Sequence, residues 1–280
     1  MSLVPERITL DTALKIINAM IRFAKDNQVF PGSYAVVDEG GHVVAFERRD
    51  IAPVSTADIA IDKAWTAATM KASGRMLEVI TRGEAWRLNV KHKGRLTIIP
   101  GAIPIIAHGR IIGGIGHSGG SAEEDLKISQ AGWTAIFREE DFKEEVEEKL
   151  SKARLIARTV MNIVEERNLK PVSIAVLDEW GGLLLLYRMD GAPYGTLELA
   201  RDKAWTAAAF RNFSEDAAKF YSNHVNNANW NERVTLVPGG VPFSTEETFR
   251  GAIGISGNEP EIDKGVAVEA LKRLAIKVQE

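Results

Sequence analysis

Tyr34–Lys71 reads YAVVDEGGHVVAFERRDIAPVSTADIAIDKAWTAATMK, and Ile174–Arg211 reads IAVLDEWGGLLLLYRMDGAPYGTLELARDKAWTAAAFR. The two stretches align without a gap at an offset of 140 residues, and 18 of the 38 aligned positions are identical. Downstream, LTIIPGAIPI from Leu96 matches VTLVPGGVPF from Val234, and GGIGHSGG from Gly113 matches GAIGISGN from Gly251, both at offset 138. The spacers explain the change of offset, since residues 72–95 number 24 and residues 212–233 number 22. Self-similarity on this scale marks a duplicated structural unit. The chain therefore reads as two modules, drawn at 1–138 and 139–280.

Each module has the same element order. Leu10, Ala13, Leu14, Ile17, Met20, Ile21 and Ala24 recur at helical spacing behind Thr9, a good N-cap. Leu150, Ala153, Ala157, Val160 and Val164 mark the matching helix, and the acidic run Asp141 to Glu148 leads into it. A hairpin follows, turning at Asp38–Gly41, then an alanine-rich helix over Ala57–Lys71. Leu96–Ile99, Ile103–Ala107 and Arg110–Ile115 read as three more strands, and Glu123–Ile136 as a last helix. Strands joined by short turns favour an antiparallel sheet, so the fold class is α+β rather than doubly wound.

Composition narrows the chemistry. Lys plus Arg against Asp plus Glu is 35 − 38 = −3, which gives no basic excess for nucleic acid. There is no cysteine, which removes disulfides, thiolate metal sites, thiol nucleophiles and iron–sulfur clusters. No apolar run is long enough to span a membrane, and Met1–Leu10 lacks a signal-peptide core, so a cytoplasmic protein is expected. No H-x-H or H-x-x-x-H pair occurs among the five histidines, so no preformed catalytic metal site is expected.

Four motifs recur in order in both modules: D-x-x-G at Asp38–Gly41 and Asp178–Gly181, R-x-D-x-A-P at Arg48–Pro53 and Arg188–Pro193, A-x-x-K-A-x-T-A at Ala60–Ala67 and Ala200–Ala207, and P-G-x-x-P at Pro100–Pro104 and Pro238–Pro242, with glycine-rich G-x-x-G-x-S-G runs downstream. Together they resemble the GlcG/HbpS-like (haem-degrading) family over nearly the whole chain. The resemblance implies a profilin-like fold in each copy, a five-stranded antiparallel sheet flanked by helices. It also implies assembly into dimers or larger oligomers, met here by an intramolecular pseudo-dimer with room for a further homo-oligomer. Haem or another tetrapyrrole becomes a candidate cofactor, because some members bind it and one branch is fused to corrinoid enzymes. Other members sit in small-acid catabolism.

Several residue types could carry chemistry. Arg48 with Asp50, and Arg188 with Asp190, stand at a strand end, where a guanidinium can clamp a carboxylate and the aspartate orient it. A structural ion pair fixing the loop is the plain alternative. Lys63 and Lys203, each beside a tryptophan (Trp65, Trp205) in an alanine-rich helix, are candidate catalytic groups, because desolvation lowers an ammonium pKa. A lysine paired with a carboxylate is the plain alternative there, and the tryptophans read as packing. Gly101, Gly116 and Ser118, with Gly239, Gly240 and Ser256, are candidate ligand-binding positions in glycine loops that could cradle an anion. With no cysteine, a haem axial donor narrows to His, Met or Tyr, and His117 and His42 are the better placed histidines.

The modules also differ. His117 faces Ile255, Gly101–Ala102 faces Gly239–Gly240, and Gly119–Gly120 faces Gly257–Asn258. The leading expectation is a binding protein for an anionic ligand, haem or a small carboxylic acid, in a pocket lined by Arg48, Lys63 and the Gly116 loop. The negative group between those cations would be Asp50, Asp62 or the bound acid. The alternatives are a metabolic enzyme acting on an oxo-acid through Lys and Arg, and a scaffold without catalysis.

Overall fold

The computed structural model describes residues 5–72, 92, 94–107, 109–136, 148–220, 233–245 and 250–279. The chain divides into two compact units, Met1–Glu147 and Glu148–Glu280. The junction expected at 138/139 and most of the acidic lead into the second module lie outside the described residues.

Module one runs α1 (Leu10–Asp26), β1 (Ser33–Asp38), β2 (Val43–Arg48), α2 (Thr56–Met70), β3 (Ala102–Ala107), β4 (Arg110–Ser118) and α3 (Ala122–Ala135). The side chain of Thr9 caps α1 by accepting from the Thr12 amide, and the apolar stripe, Leu10 to Ala24, is buried. β1 pairs antiparallel with β2 and with β4, and β3 pairs antiparallel with β4, giving the order β3-β4-β1-β2. Module two repeats this with α4 (Glu148–Glu166), β5 (Ser173–Asp178), β6 (Leu183–Arg188), α5 (Gly195–Phe210), β7 (Gly240–Ser244), β8 (Arg250–Ser256) and α6 (Pro260–Arg273). A short β9 (Lys277–Val278) adds to the free edge of β7. Both modules are antiparallel α+β units, as the repeat implied. Among the described residues no helix is long and apolar enough to cross a membrane.

Two expectations are corrected. Leu96–Ile99 is not a strand: the Thr97 amide donates to Thr66 Oγ1 at 3.0 Å and the Ile99 amide to Thr97 Oγ1 at 3.3 Å. Threonine hydroxyls take the place of a neighbouring strand, and Thr235 and Val237 repeat the arrangement. The described strands therefore number four in module one and, with β9, five in module two.

The second correction concerns the glycine-rich run beyond Ile115, read as a loop. It is strand as far as Ser118. A Cβ on Gly114 would stand 2.3 Å from the Ala64 carbonyl oxygen, and one on Gly116 would stand 2.3 Å from that of Ala60. The glycines are bare because α2 lies directly on β4, with its own alanines turned inward. Gly116 is thus a packing contact, and the close approach brings Lys63 to the His117 carbonyl, one residue before the end of the strand.

Candidate functional site

Lys63 is 1% exposed, and its ammonium is paired inside the fold. Nζ donates to Asp125 Oδ2 at 2.6 Å and to the His117 carbonyl oxygen at 3.0 Å. Asp125 reaches it from the first turn of α3, which Ser121 and Glu124 close with a capping box. The other carboxylate oxygen, Oδ1, accepts from His117 Nδ1 at 2.8 Å and from the Gly120 amide at 2.9 Å. Gly101 lets the group assemble: at φ +123°, a Cβ there would stand 2.7 Å from Asp125 Cβ and 2.8 Å from Lys63 Nζ. The negative partner of Lys63 is therefore Asp125. Asp50 is not that partner, and Asp62 pairs instead with Arg95 at 3.2 Å.

His117 is the third member of the chain, on β4, and fully buried. A carboxylate only accepts, so Nδ1 carries the proton and Nε2 presents a lone pair. Nε2 has no hydrogen-bond partner among the described residues. Its ring lies 4.7 Å from that of Tyr34, the residue opposite it on β1. Burial lowers the His117 pKa below the ordinary imidazole value, against the pull of Asp125, so the ring is neutral. For Asp125, burial opposes the charge, but His117 and Lys63 outweigh it and hold the carboxyl below its ordinary range.

Module two keeps the ion pair and omits the histidine. Lys203, also 1% exposed, donates to the Ile255 carbonyl oxygen at 2.8 Å and to Asp263 Oδ2 at 3.2 Å. Gly239, again at φ +123°, leaves the space beside Lys203 Nζ. Gly240 packs against the Lys203 backbone. Ile255 replaces His117, Ile174 replaces Tyr34, and Val172 stands where module one has Gly32. A Cβ on Gly32 would lie 2.6 Å from His117 Nε2, so the three differences belong to one arrangement.

The other expected residues fall elsewhere. Arg48 is buried and its guanidinium donates to the Ala52 carbonyl at 2.9 Å; Arg188 makes the same bond to Ala192 at 3.3 Å. Each arginine thus holds the loop that contains Asp50 or Asp190. Ser118 and Ser256 are the buried last residues of β4 and β8. His42 sits at the β1–β2 turn, at the other end of β1 from His117, with Nδ1 3.3 Å from Asp38 Oδ1. Trp65 packs under that turn, where Gly41 at φ +78° leaves room for the indole, and Trp205 repeats this under Gly181. His108 and His224 lie outside the described residues. Sequence reasoning missed Asp125, Asp263, Tyr34 and Gly32. The aspartates were recoverable, because they align at the same offset of 138 as the glycine blocks.

A family model described as haem degrading protein, HbpS-like, matches residues 8–134 and again 149–272. An uncharacterised 15.0 kDa protein from the dhaT–dhaS intergenic region of Citrobacter freundii is 32% identical over 125 residues, which cover 44% of this chain and 87% of that protein. The corrinoid adenosyltransferase PduO of Salmonella typhimurium is 31% identical over 134 residues, 47% of this chain and only 40% of that enzyme. Among solved structures, a PduOC:heme complex matches at 27% identity and a TM-score of 0.44, covering 49% of this chain and 99% of that one.

Proposed function

Because the chain belongs to the HbpS-like family of haem-degrading proteins, we propose that its first module binds haem or a related tetrapyrrole, with His117 as the donor to the iron. The observation that carries this reading is His117 Nε2, a buried lone pair with no hydrogen-bond partner among the described residues. An axial imidazole is neutral, with its other nitrogen protonated and fixed by a carboxylate or carbonyl. Asp125 does this for Nδ1, and Lys63 and the Gly120 amide hold Asp125 in turn. Haem brings four nitrogen ligands of its own, so a single protein donor suffices where a bare metal ion would need a cluster.

The surroundings support the same ligand. Phe30, Ile51 and Val54 are each more than half exposed. Along the chain, Phe30 and Ile51 each stand two residues from an end of the Arg49 amide bond to the carbonyl of Gly32, the residue that covers Nε2. Arg49 lies close enough for its charge to act on His117, a suitable setting for a propionate. Module two has Lys170, Gly191, Tyr194 and Met189 at these positions, with no such set. Nε2 lies beneath Gly32, so the Phe30–Gly32 segment must move aside for the iron to reach it. Bound there, haem would supply redox chemistry, while the chain's part is to present an oriented donor and exclude water from it.

An enzyme built on Lys63 or Lys203 has less support. Each ammonium is already held by a carboxylate and a carbonyl, and the arrangement is the same in both modules. The test is titration with hemin. The natural chain is expected to give a sharp Soret band at one haem per chain, and His117→Ile to abolish it or move it while His42→Ala leaves it in place. His117→Ile installs the residue that module two already accommodates, so loss of fold is not the expected outcome. An unchanged band in His117→Ile would sink the ligation, and a broad, unsaturable spectrum in the natural chain would sink the haem reading itself.

A further inference from the structure

Module two holds a pocket of about 370 Å³ at the end of its sheet remote from Ile255. Its rim carries Trp180, 84% exposed, on the turn between β5 and β6. That turn is rigid. Asp178 Oδ1 accepts from the amides of Trp180 at 3.0 Å and Gly182 at 2.8 Å, and Gly181 takes the left-handed φ of +76°. The indole therefore stands on a fixed base.

Two guanidinium groups complete the pocket from separate elements. Arg211 follows the end of α5 in a left-handed conformation at φ +52°, and Arg250 opens β8. Neither has a hydrogen-bond or ion-pair partner among the described residues. The acid in the lining, Glu179, is turned to Lys149 at 3.6 Å and does not neutralise them. The fold does not require this set, because module one has Gly40, Lys71 and Ile112 where module two has Trp180, Arg211 and Arg250.

We propose that this pocket binds a small planar organic anion, its ring stacked on Trp180 and its carboxylate or phosphate held between Arg211 and Arg250. An aromatic face takes a flat ring at little ordering cost, and paired guanidinium groups suit the planar oxygens of a carboxylate. The volume lies near the lower end of the ~300–1,000 Å³ range of small-molecule sites, which fits a one- or two-ring acid rather than a macrocycle. The site is independent of the haem reading and lies in the other module.

The probe is 1-naphthoate, with uncharged 1-naphthalenemethanol and ringless acetate as controls. Binding to the full chain is followed by calorimetry and by the tryptophan indole N–H resonances, Trp180 being identified by its absence in Trp180→Leu. Naphthoate is expected to bind saturably and to shift the Trp180 signal, with the alcohol at least fivefold weaker and acetate weaker still. Trp180→Leu and the double variant Arg211→Gln/Arg250→Gln should each lose at least tenfold in affinity, and His117→Ile should lose none. The proposal is overturned if Trp180 does not respond, if naphthoate and the alcohol bind alike, if either pocket variant binds undiminished, or if His117→Ile removes the binding.

Discussion

Module one and module two build the same buried ion pair and differ in what surrounds it. Lys63 with Asp125, and Lys203 with Asp263, occupy equivalent places, each lysine also tied to the carbonyl of the residue that is His117 or Ile255. The shared feature joins the helix on the sheet to the first turn of the last helix. The addition in module one is a polar pair, Tyr34 and His117, in the space where module two packs two isoleucines. The carboxylates respond differently. Burial raises the Asp263 pKa despite Lys203 and two backbone amides, whereas His117 and Lys63 overcome burial and lower that of Asp125. One extra donor decides the direction.

The largest effect expected from this comparison comes from removing the lysines. Lys203→Met leaves Asp263 buried without its cation, and breaking such a pair costs about 3–5 kcal/mol. Asp263, whose pKa burial has already raised, would then take up a proton, so the loss should shrink as the pH falls. Lys63→Met should cost less, because His117 can accept a proton and stand in as the counter-ion of Asp125. Urea unfolding of the two variants near neutral pH tests this ranking. Equal losses would mean that His117 does not support Asp125 as the geometry implies.

A smaller effect tests whether Gly32, Tyr34 and His117 form one unit. Gly32→Val places a side chain 2.3 Å from the Ser118 carbonyl oxygen and 2.6 Å from His117 Nε2, an overpacking worth about 1–3 kcal/mol. Tyr34→Ile and His117→Ile convert the remaining positions to those of module two. The triple variant should be more stable than the sum of the separate changes predicts, a coupling read from denaturation midpoints. Strict additivity would make the three differences unrelated drift.

How much of this the sequence shows depends on distance along the chain. The duplication, the capped first helix, the hairpin and the alanine-rich helix are local patterns, and they are legible in Thr9, Gly41 and the Ala60 to Ala68 stripe. The failures are tertiary. Leu96–Ile99 has the composition of a strand, and only the position of Thr66, about thirty residues earlier, shows that hydroxyls satisfy its amides. Gly116 looks like a loop residue until α2 is laid across it. His117 was a candidate as a histidine within a glycine-rich run, but its orienting partner lies in the next helix and its cover, Gly32, precedes β1. Arg48 and Lys63 carry charges that suggest a ligand, and the carbonyl of Ala52 and the carboxylate of Asp125 answer them inside the fold.

The smallest effect separates the modules by pH. Folded His117 has its pKa lowered from 6.5 by burial, while in the unfolded chain it titrates near that ordinary value. Between the two, the unfolded state binds a proton that the folded state does not, so stability falls as the pH drops below about 6.5 and is fully retained above it. One such group gives a slope of at most ~1.4 kcal/mol per pH unit. Ile255 contributes no such term, and His117→Ile should abolish that of module one. Below pH 6.5 the natural chain should therefore lose stability that the variant keeps, measured as unfolding free energy in urea. Asp125 adds its own loss only at more acid pH, because its folded pKa lies below the ordinary carboxyl value of 3.8. Parallel pH profiles for the two proteins would mean that His117 titrates alike in the folded and unfolded chain, and that burial does not keep its lone pair free of a proton below pH 6.5.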